Sequence, residues 1–151
     1  MTESADELSS FVDMLKQALG DKIDQSADGF IAMMAKDFVM EFPYAPEDGV
    51  KEIKGQDALA NYLANLQDLI VLDRITVPKV YRAQNSDVVI LEFECRGHAK
   101  KTGRPYNQRY ISVITLREGK ILRYVDYWNP LNVFDAIGSL ASLKPAEENK
   151  E

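Results

Sequence analysis

Asp126 stands between aromatic neighbours in the run Tyr124-Val125-Asp126-Tyr127-Trp128, and of all the residues in this chain it has the surroundings most able to turn a carboxyl into a proton carrier. The run lies inside the stretch from Tyr106 to Pro130, whose β-branched and aromatic residues favour strands. Glu118-Gly119 interrupts that stretch where a reversing chain needs positive φ, so two strands should pair as a hairpin. Side chains alternate across a strand, which puts Leu122, Tyr124, Asp126 and Trp128 on one face and Ile121, Arg123, Val125 and Tyr127 on the other. If the first face looks inward, the carboxylate loses hydration and must be hydrogen-bonded or keep its proton, the condition for acid/base work near neutral pH. If it looks outward, Asp126 is a solvated group at a sheet edge. Tyr110 and Ser112 take alternate inward positions on the partner strand. Their hydroxyls either position a ligand carbonyl and the acid, or satisfy Asp126 in a structural network.

Other chemistries find little support. His98 is the only histidine, so a multi-histidine metal site is excluded, and no Cys/His/carboxylate cluster has ligand spacing. Cys95, the only cysteine, excludes an internal disulfide, fits a reducing compartment and reads as a small buried hydrophobe. There is no Gly-rich phosphate loop and no nucleophile elbow, so neither metal nor cofactor is expected. The chain carries 18 basic and 24 acidic residues, a net charge of −6, with no basic run interleaved with aromatics. That balance excludes a general attraction to nucleic acid or an anionic membrane. An acidic N-terminus without an apolar run is no secretory signal, and nothing approaches membrane-spanning length; the expected location is the cytoplasm.

The elements that must position Asp126 follow from periodicity. Ser4 and Glu7 have the spacing of a capping box before a helix whose apolar side is Leu8, Phe11, Val12, Leu15, Ala18 and Leu19. A second, shorter helical cluster follows at Phe30, Ile31, Met33 and Met34. Residues 37–42, ending at Phe42, read as a strand, Pro43 to Gly49 as a loop, and Val50 to Lys54 as a returning strand. Gly55 opens a helix with Leu59, Tyr62, Leu63 and Leu66 on one stripe. Residues 69–82 are strand-like, with Pro78 marking an edge or bulge. Val88 to His98 alternates Val89, Leu91, Phe93 and Cys95 against Glu92, Glu94, Arg96 and His98. After the basic loop 97–105 comes the hairpin, then a short apolar run from Leu131 to Ile137. With 151 residues the chain fits one domain, assigned to 1–143, with 144–151 a mobile polar tail.

Helices first and an antiparallel meander afterwards argue an α+β domain. The expected form is a cone: a strongly curved antiparallel sheet with about three N-terminal and intervening helices over its concave face, leaving a blind, mostly apolar cavity. This order, together with Leu-Arg-Glu-Gly-Lys-Ile at 116–121 and Asp-Tyr-Trp-Asn-Pro at 126–130, resembles the SnoaL-like branch of the nuclear transport factor two-like superfamily over about residues 8–138. That superfamily holds ketosteroid isomerases, polyketide cyclases, limonene-epoxide hydrolases, phenazine-biosynthesis A/B proteins and non-catalytic modules, so the fold alone does not choose a function.

Residue matching narrows the choice. Phe42 stands before Pro43 where ketosteroid isomerases carry their basic aspartate, Ser112 aligns with their protonated aspartate, and no tyrosine lies between Phe11 and Leu19. Val125-Asp126-Tyr127-Trp128-Asn129 is similar to the last strand of limonene-epoxide hydrolases, whose second arginine–aspartate pair would fall near residues 92–95, where Glu94 offers only a carboxylate. The run through Pro130 is similar to the last strand of the phenazine-biosynthesis A/B proteins, which have a pocket glutamate at the place of Asp126. The resemblance therefore implies that Asp126 faces the cavity. It implies cofactor-independent isomerisation, cyclisation or hydrolysis on a hydrophobic carbonyl-bearing or polycyclic compound. Asp126 would carry the proton, with Tyr110, Ser112, Tyr124, Trp128, Phe42 and Tyr62 around the ligand. The alternative is a non-catalytic ligand-binding or dimerisation module. Arg109 and Arg123, on the opposite face, point to an outer sheet surface through which a homodimer would form.

Overall fold

The computed structural model describes residues 3–138, with side chains from residue 9 onward. Helix α1 (Glu3–Leu19) leads to strand β1 (Met34–Glu41) and the short β2 (Glu52–Lys54), then to helix α2 (Gln56–Leu69). Strands β3 (Ile70–Ile75), β4 (Lys79–Arg82), β5 (Val88–Ala99), β6 (Pro105–Arg117) and β7 (Lys120–Tyr127) follow, and helix α3 (Pro130–Ile137) closes the described chain. All seven strands form one open sheet in the order β2-β1-β7-β6-β5-β3, with β4 pairing β5 as well. Pro78 explains that fork: it cannot extend the ladder, so β3 pairs the end of β5 and β4 its beginning.

The sheet is antiparallel except that β1 runs parallel to β7. The expectation of uniform antiparallel pairing holds for every other pair; β1 is separated from β7 by the whole meander, and a long connection admits either direction. The β6–β7 hairpin turns on Glu118 (φ 51°) and Gly119 (φ 80°), the pair of positive φ values that matches a two-residue turn to strand twist. Beyond the turn, pairing passes from Leu116 with Ile121 to Thr115 with Arg123, leaving Leu122 as an extra residue. Strict alternation puts Ile121 on the outer face. The bulge instead buries it completely, while Tyr124, Asp126 and Trp128 keep their shared inner parity.

Two helix expectations change. Ser4 lies inside α1, so it does not cap it. The cluster around Phe30 forms only a 3₁₀ turn, Ile31–Met33, before Met34 enters β1, because so short a run nucleates no helix and its methionines bury equally well from an extended chain. The third helix is C-terminal. Asn129 caps it, its Oδ1 accepting from Leu131 N at 3.0 Å; Pro130 takes the first turn and Gly138 (φ 84°) ends it. Leu15 and Leu19 of α1, Leu59 of α2 and Val133 of α3 join the inner residues of β5, β6 and β7 in one core. The tail expected over 144–151 lies outside the described residues.

Candidate active site

Between the inner sheet face and the helices lies a cavity of about 140 Å³. Half of its wall residues are aromatic, and the rings brace one another. Phe42 stacks on Tyr62 with centroids 5.3 Å apart and tilts against Trp128 at 5.8 Å, Phe93 stacks on Tyr110 at 5.3 Å, and Phe30 meets Tyr124 edge-on at 6.1 Å. Tyr62 comes from α2, Phe42 from the end of β1, Phe93 from β5, Tyr110 from β6, and Tyr124 and Trp128 from the last strand and its exit. The strands thus supply fixed side-chain directions and α2 closes the space above them.

Asp126 is on this wall, only 8% exposed. Burial pushes its carboxyl up from an ordinary 3.8 to about 7, and a hydrogen bond from Ser112 opposes the rise. Ser112, fully buried and directly opposite Asp126 in the β6–β7 register, donates through Oγ to Asp126 Oδ1 at 2.9 Å. Oδ2 accepts no hydrogen bond among the described residues. Five of the six residues expected around the ligand line the cavity: Phe42, Tyr62, Tyr110, Tyr124 and Trp128. Ser112 does not; it lies behind Asp126 and holds it.

Tyr106 and Gln108 were not among the expected site residues, although alternation on β6 places them in line with Tyr110 and Ser112. Tyr106 lines the cavity, its hydroxyl 2.8 Å from that of Tyr110. Gln108, 3% exposed, ties β6 to the start of α3: its Nε2 donates to Asn129 O at 3.0 Å, and its Oε1 accepts from Asn129 N at 3.0 Å and from Asn132 Nδ2 at 3.2 Å. The phenols remain protonated near neutrality. Burial raises Tyr106 to about 12 and holds Tyr62, Tyr110 and Tyr124 well above their ordinary 10.

Other candidates fall away from the cavity or are inert in it. His98 pairs with Asp73 at 3.0 Å on the surface. Glu94 faces outward and accepts from Arg109 at 3.0 Å, so it cannot complete a hydrolase-type pair with Asp126. Arg123 likewise binds Glu41 on the outer face. Cys95 does line the cavity, but burial pushes its thiol up to about 12, far from a thiolate nucleophile. No group of three His, Cys, Asp or Glu among the described residues is arranged to hold a metal. Asp126 is therefore the sole carboxyl on the cavity wall among the described residues.

An α+β cone with a blind aromatic pocket over a curved sheet defines a protein of the nuclear transport factor two-like superfamily. An NTF2-like protein of Burkholderia xenovorans shares this fold at 23% identity, with a TM-score of 0.61 over 87% of this chain and 96% of that one. Within the superfamily the chain belongs to the SnoaL-like domain family, whose model matches residues 14–124. It is 41% identical over 136 residues to the uncharacterized protein YesE of Bacillus subtilis, covering 90% of this chain and 92% of the relative. It is 32% identical over 114 residues to an uncharacterized PhzA/B-like protein of Pseudomonas aeruginosa, covering 76% of this chain and 80% of that protein. A crystal structure from Bacillus subtilis, of a protein provisionally designated an isomerase, matches at 40% identity with a TM-score of 0.73, over 93% of this chain and 99% of that one.

Proposed function

We propose that this protein binds a small apolar molecule carrying a carbonyl group and moves a proton on it without a cofactor, with Asp126 as acid and base. The observation that carries the reading is a carboxyl poised at about 7 with Oδ2 unbonded at an apolar cavity. A base of that pKa is ionised enough at neutral pH to accept a proton and acidic enough to return it. Asp126 Oδ2 takes a proton from the carbon next to the carbonyl; the C–H electron pair becomes a C=C bond and the carbonyl π pair moves to oxygen. The carboxyl then gives the proton back at another carbon or at its origin as C=O re-forms, so no redox partner is needed. Ser112 keeps Oδ1 engaged and Oδ2 aimed.

The cavity also sets the size of the ligand. Its 140 Å³ is close to an apolar cavity of ~150 Å³ that holds one benzene ring, which favours a single-ring compound over a polycyclic one. The provisional isomerase designation of the Bacillus subtilis structure is in keeping with this chemistry. The test is exchange of α-hydrogens of cyclohexanone for deuterium in heavy water, followed by NMR. Wild type should accelerate exchange, with a rate that rises through pH 7 as the carboxylate forms, and Asp126→Asn should abolish the acceleration while staying folded. An equal rate in the variant refutes the role of Asp126. A second reading, a ligand-binding module without turnover, is favoured by the absence of a second carboxyl on the wall among the described residues; it predicts that ligand binds and is recovered unexchanged.

The outer sheet face supports a homodimer. There Ile111 lies between Glu92 and Tyr127, and Val113 between Ile90 and Val125, forming an apolar strip bordered by the Arg109–Glu94 and Arg123–Glu41 pairs. Ile111 is 41% exposed on it, and Tyr44 packs edge-on against Tyr127 at 5.4 Å. No helix among the described residues is long and apolar enough to cross a membrane. The single cysteine, buried and unpaired, is in keeping with a reducing compartment such as the cytoplasm.

A further inference from the structure

We infer that Tyr110 is the hydrogen-bond donor that grips the oxygen of the ligand, and that Gln108 favours this through Tyr106. The inference rests on the proposed reading of the pocket as a carbonyl site and names the group that makes it one.

The order of donors starts from Gln108. A side-chain amide can be placed either way round, but Gln108 meets a backbone N–H, which only donates. Asn129 N lies 3.0 Å from one end of the amide, so that end is Oε1, and the other end is the NH₂. The NH₂ sends one hydrogen to Asn129 O at 3.0 Å and the other toward the Tyr106 hydroxyl at 3.4 Å. Tyr106 Oη therefore accepts from Gln108; either phenol can donate across the 2.8 Å between Tyr106 Oη and Tyr110 Oη, and we assign the donor role to Tyr106, the order in which each hydroxyl accepts one hydrogen and passes on its own. In that order Tyr110 accepts, and its own hydrogen has no acceptor among the described residues. The relay ends with a donor on the cavity wall.

Two further facts fit this terminus to a carbonyl oxygen. Stacking on Phe93 at 21° between ring planes fixes the Tyr110 ring, so its hydroxyl is held in place in advance of binding. Asp126 faces Ser112 in the register, which makes Tyr110, two residues before Ser112, its diagonal neighbour about 7 Å away. Both residues line the one cavity, so a single small ligand can meet both. Tyr62 is the rival donor. Stacking on Phe42 holds its ring, but its hydroxyl accepts no hydrogen bond from the described residues that would polarise it.

The test compares two ligands of one shape, cyclohexanone and methylenecyclohexane, in which the carbonyl oxygen is exchanged for CH₂. Dissociation constants from NMR titration should favour the ketone about tenfold in wild type, the worth of one net hydrogen bond. Tyr110→Phe should erase that preference; Tyr62→Phe should keep it. Binding is read without turnover, so a failure of the proposed reaction is distinguishable from a failure of this assignment. The infrared C=O stretch of bound, carbonyl-labelled cyclohexanone should lie below its value in hexane in wild type and return toward it in Tyr110→Phe. Gln108→Leu should weaken the red shift. If that variant fails to fold, Tyr106→Phe breaks the relay without touching the α3 cap and should do the same. Loss of the preference in Tyr62→Phe with retention in Tyr110→Phe overturns the assignment, as does equal affinity for the two ligands in wild type. An unmoved stretch in Tyr106→Phe overturns the relay.

Discussion

Asp126→Asn should make the protein more stable at alkaline than at acidic pH relative to wild type. Asp126 titrates at about 7 in the fold and near 3.8 in the unfolded chain. Between those values the unfolded state has released its proton while the folded state keeps it, so rising pH favours unfolding. Well below pH 3.8 both states are protonated and the group costs nothing. Above pH 7 the folded protein holds an ionised carboxylate in the cavity at a cost of at most about 4 kcal/mol. About 3 kcal/mol of this develops between pH 4.5 and 8, with a slope near ~1.4 kcal/mol per pH unit at its steepest. Asparagine keeps the acceptor for Ser112 and removes the titration. Its NH₂ faces the cavity without an acceptor, a fixed penalty of about 1–3 kcal/mol that does not vary with pH. Urea unfolding of both proteins at half-unit pH steps isolates the effect, because every other titrating group cancels in the difference. The expected curve falls, wild type minus variant, by about 3 kcal/mol from pH 4.5 to 8. A flat difference would mean that the carboxyl is hydrated in the folded state, and the acid/base argument would lose its foundation.

Gly97 lies where β5 passes β3, and a Cβ there would stand 2.1 Å from Val71 O. Because backbone must move to admit it, Gly97→Ala should lose about 3 kcal/mol in chemical denaturation; a loss below ~0.5 would show that β3 yields. Glu118 holds φ 51° without being glycine, so Glu118→Asn, giving Asn-Gly at the hairpin turn, should gain about 0.5–1 kcal/mol by the same assay. Ile111→Glu puts charge into the centre of the outer apolar strip and should convert a dimer to a monomer in sedimentation experiments, with the cavity unaltered; an unchanged mass would locate any dimer elsewhere.

Some of this architecture is written locally. The β6–β7 hairpin, the Gly55-opened helix α2, the alternation of β5 and the shared parity of Tyr124, Asp126 and Trp128 were legible because each depends on neighbours within a few residues: a turn that needs positive φ, a stripe at 3.6 spacing, a face at spacing two. The resemblance carried by residues 116–130 and the order of elements gave the cone fold that the SnoaL-like match confirms. Tyr106 and Gln108 were equally within reach of that alternation, yet nothing local distinguishes a glutamine that anchors a relay from one that is solvated.

What the tertiary structure decided are relations between distant segments. The bulge at Leu122 moved Ile121 into the core, because a sheet that bends over helices accommodates an extra residue where pairing alone would not ask for one. The parallel β1–β7 pair, and with it the placement of Phe42 beside Trp128, depends on a connection of some eighty residues that no short-range pattern encodes. Above all, residue type and parity present Asp126 as a carboxyl among rings, but its pKa is a property of the enclosure. Helices α1 and α2, both far from Asp126 along the chain, exclude the water that would otherwise keep an aspartate on a strand at its ordinary value.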